Sequence, residues 1–385
     1  MSEMRVKLAV APKMGREVVV EEVILDPLGE YDVRLKIVTC TICHSDIHAN
    51  TGEHGEYEEP GAAGHEIAGI VHEVGNKVTY VKVGDRVLCS EVRQGCGNCI
   101  QCYNDRHWFC ENIPPMTFRV ASCFTRLNGE RVTQTCSGTA GFATYANVHE
   151  AMLCKLDDDI PFEIGSALAC GFMSGFGAVL NRSKPKPGES YAVMGCGGVG
   201  LSAIMAAKHA GCIPIIAIDI NPVKLEAAKK FGATHCINPK EVDDVVEAVK
   251  DITKGDAKVG YGVDHSMVAV AGPVKRTTWD LTAPYGQMVV VGHEHPRNEG
   301  MEEFNFFDFL LSKKITGCVM GGVTLRRDIP KYMEMYRNGQ IDIDSLLSNW
   351  FTLDNIQEAL NDSERGALKN IVVCDDDYAR EKGLI

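Results

Sequence analysis

Four cysteines, Cys96, Cys99, Cys102 and Cys110, stand in the pattern C-x2-C-x2-C-x7-C. Two-residue gaps let successive thiolates fold back onto one ion, with each sulfur about 2.3 Å from it. Four cysteines and no histidine leave no open coordination position. The spacing therefore points to a structural zinc that pins a loop with little core of its own. An iron–sulfur cluster is the other metal reading, but the closing C-x3-C-P element of bacterial ferredoxins is missing. A second set is scattered along the chain: Cys43 in "TCTICHSDIHAN", His65-Glu66 in "GAAGHEIAG" and Cys170 in "ALACGFMSGFG". Singly, each reads as an ordinary residue after a strand or at a turn. Together they form a Cys/His/Cys ligand set whose fourth position is open, the arrangement of a catalytic zinc. Asp46, three residues after Cys43, is a candidate acceptor for the ring N–H of His65.

A third constellation is Gly195-Cys196-Gly197-Gly198-Val199-Gly200, which follows the apolar run "SYAVM" and opens an Ala-rich stretch. It satisfies G-x-G-x-x-G in its required strand-to-helix context. The first glycine permits the tight turn, the second lets a pyrophosphate approach the backbone at a helix N-terminus, and the third permits close helix–strand packing. Asp219 ends the next apolar run, nineteen residues after Gly200. A carboxylate there accepts from both ribose hydroxyls and repels a 2′-phosphate, which favours NAD over NADP.

Elements must hold these groups. In the first third, Val18–Leu25, Asp32–Thr39, Glu66–Val74 and Asp85–Ser90 read as strands, with Pro27-Leu28-Gly29 as a turn between the first two. "GNKVTYVKVGDRV" reads as a hairpin-like stretch. A mostly-β, barrel-like domain is expected there. After "NRSKPKPG" the pattern changes to apolar strands alternating with helices up to about Gly317, which implies a parallel sheet covered on both faces. A helix from Asp328 and a strand over Lys369–Val373 follow.

The chain has 385 residues, 45% hydrophobic and 24% charged, which gives about two domains and excludes a wholly disordered chain. Its net charge of −13 argues against binding a polyanion over a broad face, so no nucleic-acid partner is expected. No run approaches 18 continuous apolar residues and no secretory signal opens the chain, so neither a membrane span nor export is expected. In a reducing, cytoplasmic compartment, sixteen clustered cysteines suggest metal rather than disulfides.

Cys43-His44-Ser45-Asp46, Gly64-His65-Glu66, the four-cysteine loop, Cys170 and the glycine motif together make this sequence resemble the zinc-dependent alcohol dehydrogenases of the medium-chain dehydrogenase/reductase superfamily. The resemblance covers essentially the whole chain. It implies an α/β fold: a GroES-like mostly-β catalytic domain plus a Rossmann doubly wound parallel-sheet coenzyme domain. The expected division is residues 1–172 for the catalytic domain with both zinc sites, 173–315 for the NAD-binding domain, and 316–385 for the catalytic domain's return. The resemblance further implies two zinc ions per subunit, with Cys43, His65 and Cys170 on the catalytic one, and NAD as cofactor. Glu66 becomes a carboxylate beside the zinc that transiently replaces its water. Ser45 and His48 become a proton relay through the cofactor ribose. His44 is expected beside the pyrophosphate, Lys224 at the adenosine ribose, Ser174 and Val291 at the cofactor, and Lys369 at the pyrophosphate, where relatives carry Arg. The substrate pocket is expected to hold Glu91 or Val92, Cys136, Ser137, His293 and Val319. Because Cys136 and Ser137 are small and His293 is polar, an alcohol larger or more polar than ethanol is implied. The long segment from Glu111 to Gly141 resembles that of dimeric members, so a homodimer paired through the sheet edge is expected, with a tetramer as the alternative. Competing readings are a thiol-adduct formaldehyde dehydrogenase, a dismutase with tightly bound NAD, a non-catalytic zinc-binding relative, and a zinc-ribbon nucleic-acid module.

Overall fold

The computed structural model describes residues 3–15, 17–53, 56–113, 123–136, 138–255, 260–292 and 303–385. Two compact units emerge. The first comprises residues 1–170, 324–338 and 343–385; the second comprises 171–323 and 339–342.

The first unit is built on a mixed sheet. Its strand order is Leu153–Lys155, Arg86–Cys89, Glu66–Val74, Asp32–Thr41, Ile371–Val373 and Trp350–Thr352. Tyr145–His149 also pairs with Asp32–Thr41. The long strand Asp32–Thr41 is the organiser. Its first half pairs with Tyr145–His149, its last three residues pair with Ile371–Val373, and Glu66–Val74 runs antiparallel along it. Thr41 is opposite Glu66 in that register, so Cys43 leaves the sheet just where His65 enters it. A second sheet joins Met4–Val10, Val19–Leu25 and Phe124–Arg126. Val6, Leu8, Val23, Leu35, Ile37, Ile67 and Phe142 close one apolar core between these elements. The turn at Pro27–Gly29 does not make a hairpin, because Val19–Leu25 and Asp32–Thr41 belong to different sheets. Of the stretch 75–87, expected to be hairpin-like, residues 75–85 are a run of turns and only 86–87 are extended, at the start of the strand Arg86–Cys89. The N–H groups of 75–85 bond to scattered acceptors such as Glu30 O and Glu150 Oε2 rather than to a ladder.

The second unit is a six-stranded parallel sheet in the order His235–Ile237, Ile215–Ile218, Tyr191–Met194, Val263–Val268, Thr282–Val290, Lys314–Gly317. In chain order this is 3-2-1-4-5-6, the doubly wound dinucleotide-binding topology. Continuous apolar runs such as Ile215-Ile216-Ala217-Ile218 are fully buried, as a sheet covered on both faces demands. The chain returns to the first unit at 324 rather than 316. The reason lies in pairing and packing: Lys314–Gly317 is a strand of the parallel sheet, and Asn181 Nδ2 donates to Gly321 O at 3.0 Å. The first boundary falls at 170/171, two residues before the expected one. One helical run, 162–183, is apolar and long enough to cross a membrane, but 94% of its most apolar window is buried inside the protein, as in a core helix.

Candidate metal centres and nucleotide site

Cys43 caps the helix His44–Thr51, with extended backbone at the cap. Asp46, wholly buried in the first turn of that helix, fixes the local geometry. Its Oδ2 accepts from Cys43 N at 3.0 Å, while its Oδ1 accepts from Gly64 N at 2.9 Å and lies 2.8 Å from His65 Nδ1. The carboxylate therefore ties the helix start to the neighbouring strand and places the His65 ring proton on Nδ1. The other ring nitrogen, Nε2, is buried and has no protein hydrogen-bond partner. It is aimed where a ligand nitrogen is needed: the donor atoms of Cys43, His65, Glu66 and Cys170 all lie within 4.8 Å of one another. Cys170 arrives on a π-helical turn, Leu168–Phe172, a distortion that often marks functional positions.

The electrostatics suit a cation. The neighbouring Cys170, and after it the His65 ring, pull the Cys43 thiol well below its usual range against the cost of burial. Cys170 is pushed up, its S–H donating to Cys43. Burial disfavours a charged His65, but Asp46, Glu91 and Cys170 outweigh it and raise its pKa well above normal, which makes the ring a stronger base. An orphaned imidazole nitrogen between two thiols fits a bound zinc.

Glu66 has partners that spacing did not reveal. Thr41 Oγ1 donates to its Oε2, and Lys369 Nζ lies 2.7 Å from both carboxylate oxygens. Both charged groups are buried, Lys369 at 5% exposure. Burial raises the Glu66 carboxyl while Lys369 opposes that rise; for Lys369 the burial penalty is outweighed by Glu66 and Cys43, so its ammonium is stabilised. The two shifts pull in different senses for the carboxylate. We read the pair as ionic because both oxygens receive a short charge-assisted bond. Glu91, buried, brings a second carboxylate to 3.9 Å from His65 Nδ1.

Ser45 and His48 lie one turn apart on the helix His44–Thr51, hence on one face. His48 Nδ1 is hydrogen-bonded to Glu53 Oε2. The exposed His44 ring is 6.2 Å from that of His48. Of the expected pocket residues, Cys136 is buried with its sulfur within 4.8 Å of the Asp46 and His65 donor atoms. Val92 is fully buried in the first unit, and Val319 is 48% exposed in the second. Ser137 and His293 lie outside the described residues.

The four cysteine sulfurs of the loop, Cys96, Cys99, Cys102 and Cys110, also lie within 4.8 Å of one another. Cys96 Sγ accepts from Asn98 N at 3.3 Å and from Asn112 Nδ2 at 3.2 Å, and Cys110 Sγ accepts from Cys96 N at 3.3 Å. Donors aimed at sulfur favour the thiolate: backbone N–H groups of Glu111 and then Cys102 bring Cys99 down to about 6. This donor set fits a tetrahedral thiolate-bound ion.

In the second unit the glycine motif has the required shape. Gly195 has φ +94°, and a Cβ there would meet Val270 at 2.7 Å. A Cβ on Gly200 would lie 1.8 Å from Gly195 O, so only glycine fits the helix–turn contact. Gly197 faces open space and caps the helix Gly198–His209, whose first turn holds Val199. Asp219 follows the next strand, with Oδ2 accepting from Cys196 N at 2.7 Å and Oδ1 from Asn221 N at 2.8 Å. Lys224 is in the first turn of the helix Pro222–Phe231 and half-buried. Ser174 is buried, with Oγ 3.4 Å from Met320 Sδ, and Val291 N donates to Val268 O just past the fifth strand.

Residues 29–158 match the alcohol dehydrogenase GroES-like domain family, and residues 198–338 match the zinc-binding dehydrogenase family. Alcohol dehydrogenase 6 of Peromyscus maniculatus is 32% identical, over 94% of this chain and 96% of its own length. An alcohol dehydrogenase zinc-binding domain protein from Burkholderia ambifaria superposes with a TM-score of 0.86 at 31% identity, covering 97% of this chain and 99% of that one. Benzyl alcohol dehydrogenase from Acinetobacter calcoaceticus gives 0.85 at 32% identity, covering 97% and 100%.

Proposed function

Because the chain belongs to the zinc-dependent alcohol dehydrogenases of the medium-chain dehydrogenase/reductase superfamily, and so is an oxidoreductase acting on alcohols, we propose that it oxidises an alcohol larger or more polar than ethanol, reversibly, with NAD as hydride acceptor. The observation that carries this reading is the convergence of Cys43, His65 and Cys170 around a buried, unsatisfied His65 Nε2.

A zinc held by those three residues supplies Lewis acidity toward the alcohol oxygen, and a dinucleotide held at 195–200 and Asp219 supplies the hydride acceptor. The chain's own groups do the rest. Asp46 holds His65 in the ligating tautomer. Ser45 Oγ accepts the alcohol's proton as it releases its own hydroxyl proton toward His48, which passes it to solvent. Lys369 and Thr41 hold the Glu66 carboxylate beside the ligand set. Cys96, Cys99, Cys102 and Cys110 hold a second, structural zinc. The small Cys136 beside His65 and the likeness to a benzyl alcohol dehydrogenase support a substrate bulkier than ethanol. Asp219, at the end of the second strand, supports NAD over NADP through repulsion of a 2′-phosphate. Sixteen cysteines outside any disulfide, six of them in the two ligand sets, suit a reducing cytoplasm. A homodimer is supported by the edge strand Lys314–Gly317 and by Phe306, Phe307 and Leu310 beside it, 82%, 59% and 74% exposed.

The test is nicotinamide reduction by the purified enzyme over a panel of short aliphatic, aromatic, terpenoid and acyl-thioester-linked alcohols, with free NAD or NADP. Turnover with NAD, best on the bulkier alcohols, is expected. Reduction of NADP alone, or turnover only when a second carbonyl acceptor is added, would overturn the NAD-exchanging reading.

A further inference from the structure

His48 sits in the last turn of the helix His44–Thr51. Gly52 ends that helix with φ +77°, and its left-handed conformation turns the chain back so that the next residue, Glu53, reaches the His48 ring. The contact is specific to one nitrogen: Glu53 Oε2 meets Nδ1. The His48 side chain is 26% exposed and Glu53 50%, so the pair lies at the wall of an open hollow of about 580 Å3 rather than in the core. Ionic attraction at such exposure is worth little. Direction is what the contact supplies, because a carboxylate only accepts and so must be met by Nδ1–H. Among the described residues, the other titratable or charged groups lining this hollow are His44 from the same helix, and Glu364 and Arg365 from the end of the helix Ile356–Glu364.

We propose that Glu53 is a positioning residue for His48: it accepts a hydrogen bond from Nδ1–H and so fixes the tautomer whose Nε2 lone pair receives the proton leaving the alcohol. Glu53 here acts on His48 as Asp46 acts on His65, each fixing which ring nitrogen carries hydrogen. The inference rests on the Ser45–His48 relay. Glu53 contributes no atom to the reaction and acts only through the ring it orients.

The test uses the zinc-loaded enzyme with 15N-labelled histidine, at a pH where His48 is neutral, its signals assigned by their loss in His48→Gln. In the unmodified enzyme, Nδ1 should carry the hydrogen. In Glu53→Met, which keeps bulk and removes the acceptor, the signals should shift toward the Nε2–H form. In the same variant, kcat should fall by roughly tenfold with KM little changed, at the lower end of the scale for losing an orienting partner. Glu53→Gln, which retains an acceptor oxygen, should recover part of the loss. The double variant His48→Gln/Glu53→Met should be no slower than His48→Gln alone. An Nδ1–H tautomer that persists in Glu53→Met, or losses that multiply in the double variant, would overturn the proposal. A tautomer that follows Glu53 in an enzyme whose kcat is untouched by His48→Gln would overturn the relay while upholding Glu53's hold on the ring.

Discussion

At the scale of single residues, the site depends on a few buried charges whose partners come from far along the chain. Glu66 and Lys369 are 303 positions apart, and Thr41 is 25 positions from Glu66. Removing one side of a buried ion pair leaves the other uncompensated, at a cost of about 3–5 kcal/mol. Lys369→Met should therefore lower stability by that order in denaturant titrations, while Lys369→Arg should keep most of it. A loss below about 1 kcal/mol would mean that Glu66 simply takes a proton, as its burial already favours. Cys136 offers a second test. Its sulfur is buried beside Asp46 and His65, so Cys136→Phe should raise activity on ethanol relative to larger alcohols by about tenfold. An unmoved preference would remove Cys136 from the substrate pocket. The two clusters of candidate metal ligands were legible in the sequence because cysteine and histidine at those spacings have few other uses. Lys369's pairing with Glu66 was not, because a lone late lysine carries no sign of which strand it will face.

At the scale of elements, the helix Leu325–Arg337 clamps the four-cysteine loop. Arg327 NH1 lies 2.8 and 2.9 Å from the two Asp105 carboxylate oxygens. Asp328, 8% exposed at its side chain, accepts from Thr324 N at 2.9 Å and pairs with Arg327 and Lys331. Burial would raise its pKa, but Arg327, the Thr324 N–H and Lys331 outweigh it and hold it below the usual carboxyl value. A carboxyl depressed in the folded state adds stability that is present above its unfolded pKa of about 3.9 and is lost as pH falls through its folded pKa. Asp328→Asn should thus cost about 1 kcal/mol at pH 7, and the gap to the parent should shrink below about pH 4. An equal gap at both pH values would contradict this role. Among elements, the parallel sheet was the most legible part of the chain: its buried strands are unbroken apolar runs, and Asn221-Pro222 marks a helix start that the structure keeps. The segment 75–85 was misjudged because Val, Thr and Tyr suit strands in general, whereas here turn hydrogen bonds to Glu30 and Glu150 take the backbone donors. The π-helical turn at Cys170 leaves no trace in hydrophobic periodicity at all.

At the scale of the whole molecule, the chain leaves its first unit at 170 and returns at 324, so each unit carries one kind of chemistry. Both sulfur-rich sites belong to the first unit, and the glycine motif with Asp219 belongs to the second. The break was visible as a change from alternating strands to strand–helix repeats. The return point was not, because the edge strand Lys314–Gly317 is short and exposed and does not read as core. The central claim is that one ion does chemistry while the other holds a loop. Metal content per chain, measured alongside alcohol oxidation and the melting midpoint, tests it most directly. The unmodified protein should hold two zinc ions. Cys43→Ala should hold one, keep its melting midpoint nearly unchanged and lose turnover, whereas Cys99→Ala should chiefly lose stability. One zinc per unmodified chain, or a Cys43→Ala variant that retains two and still turns over, would contradict the account.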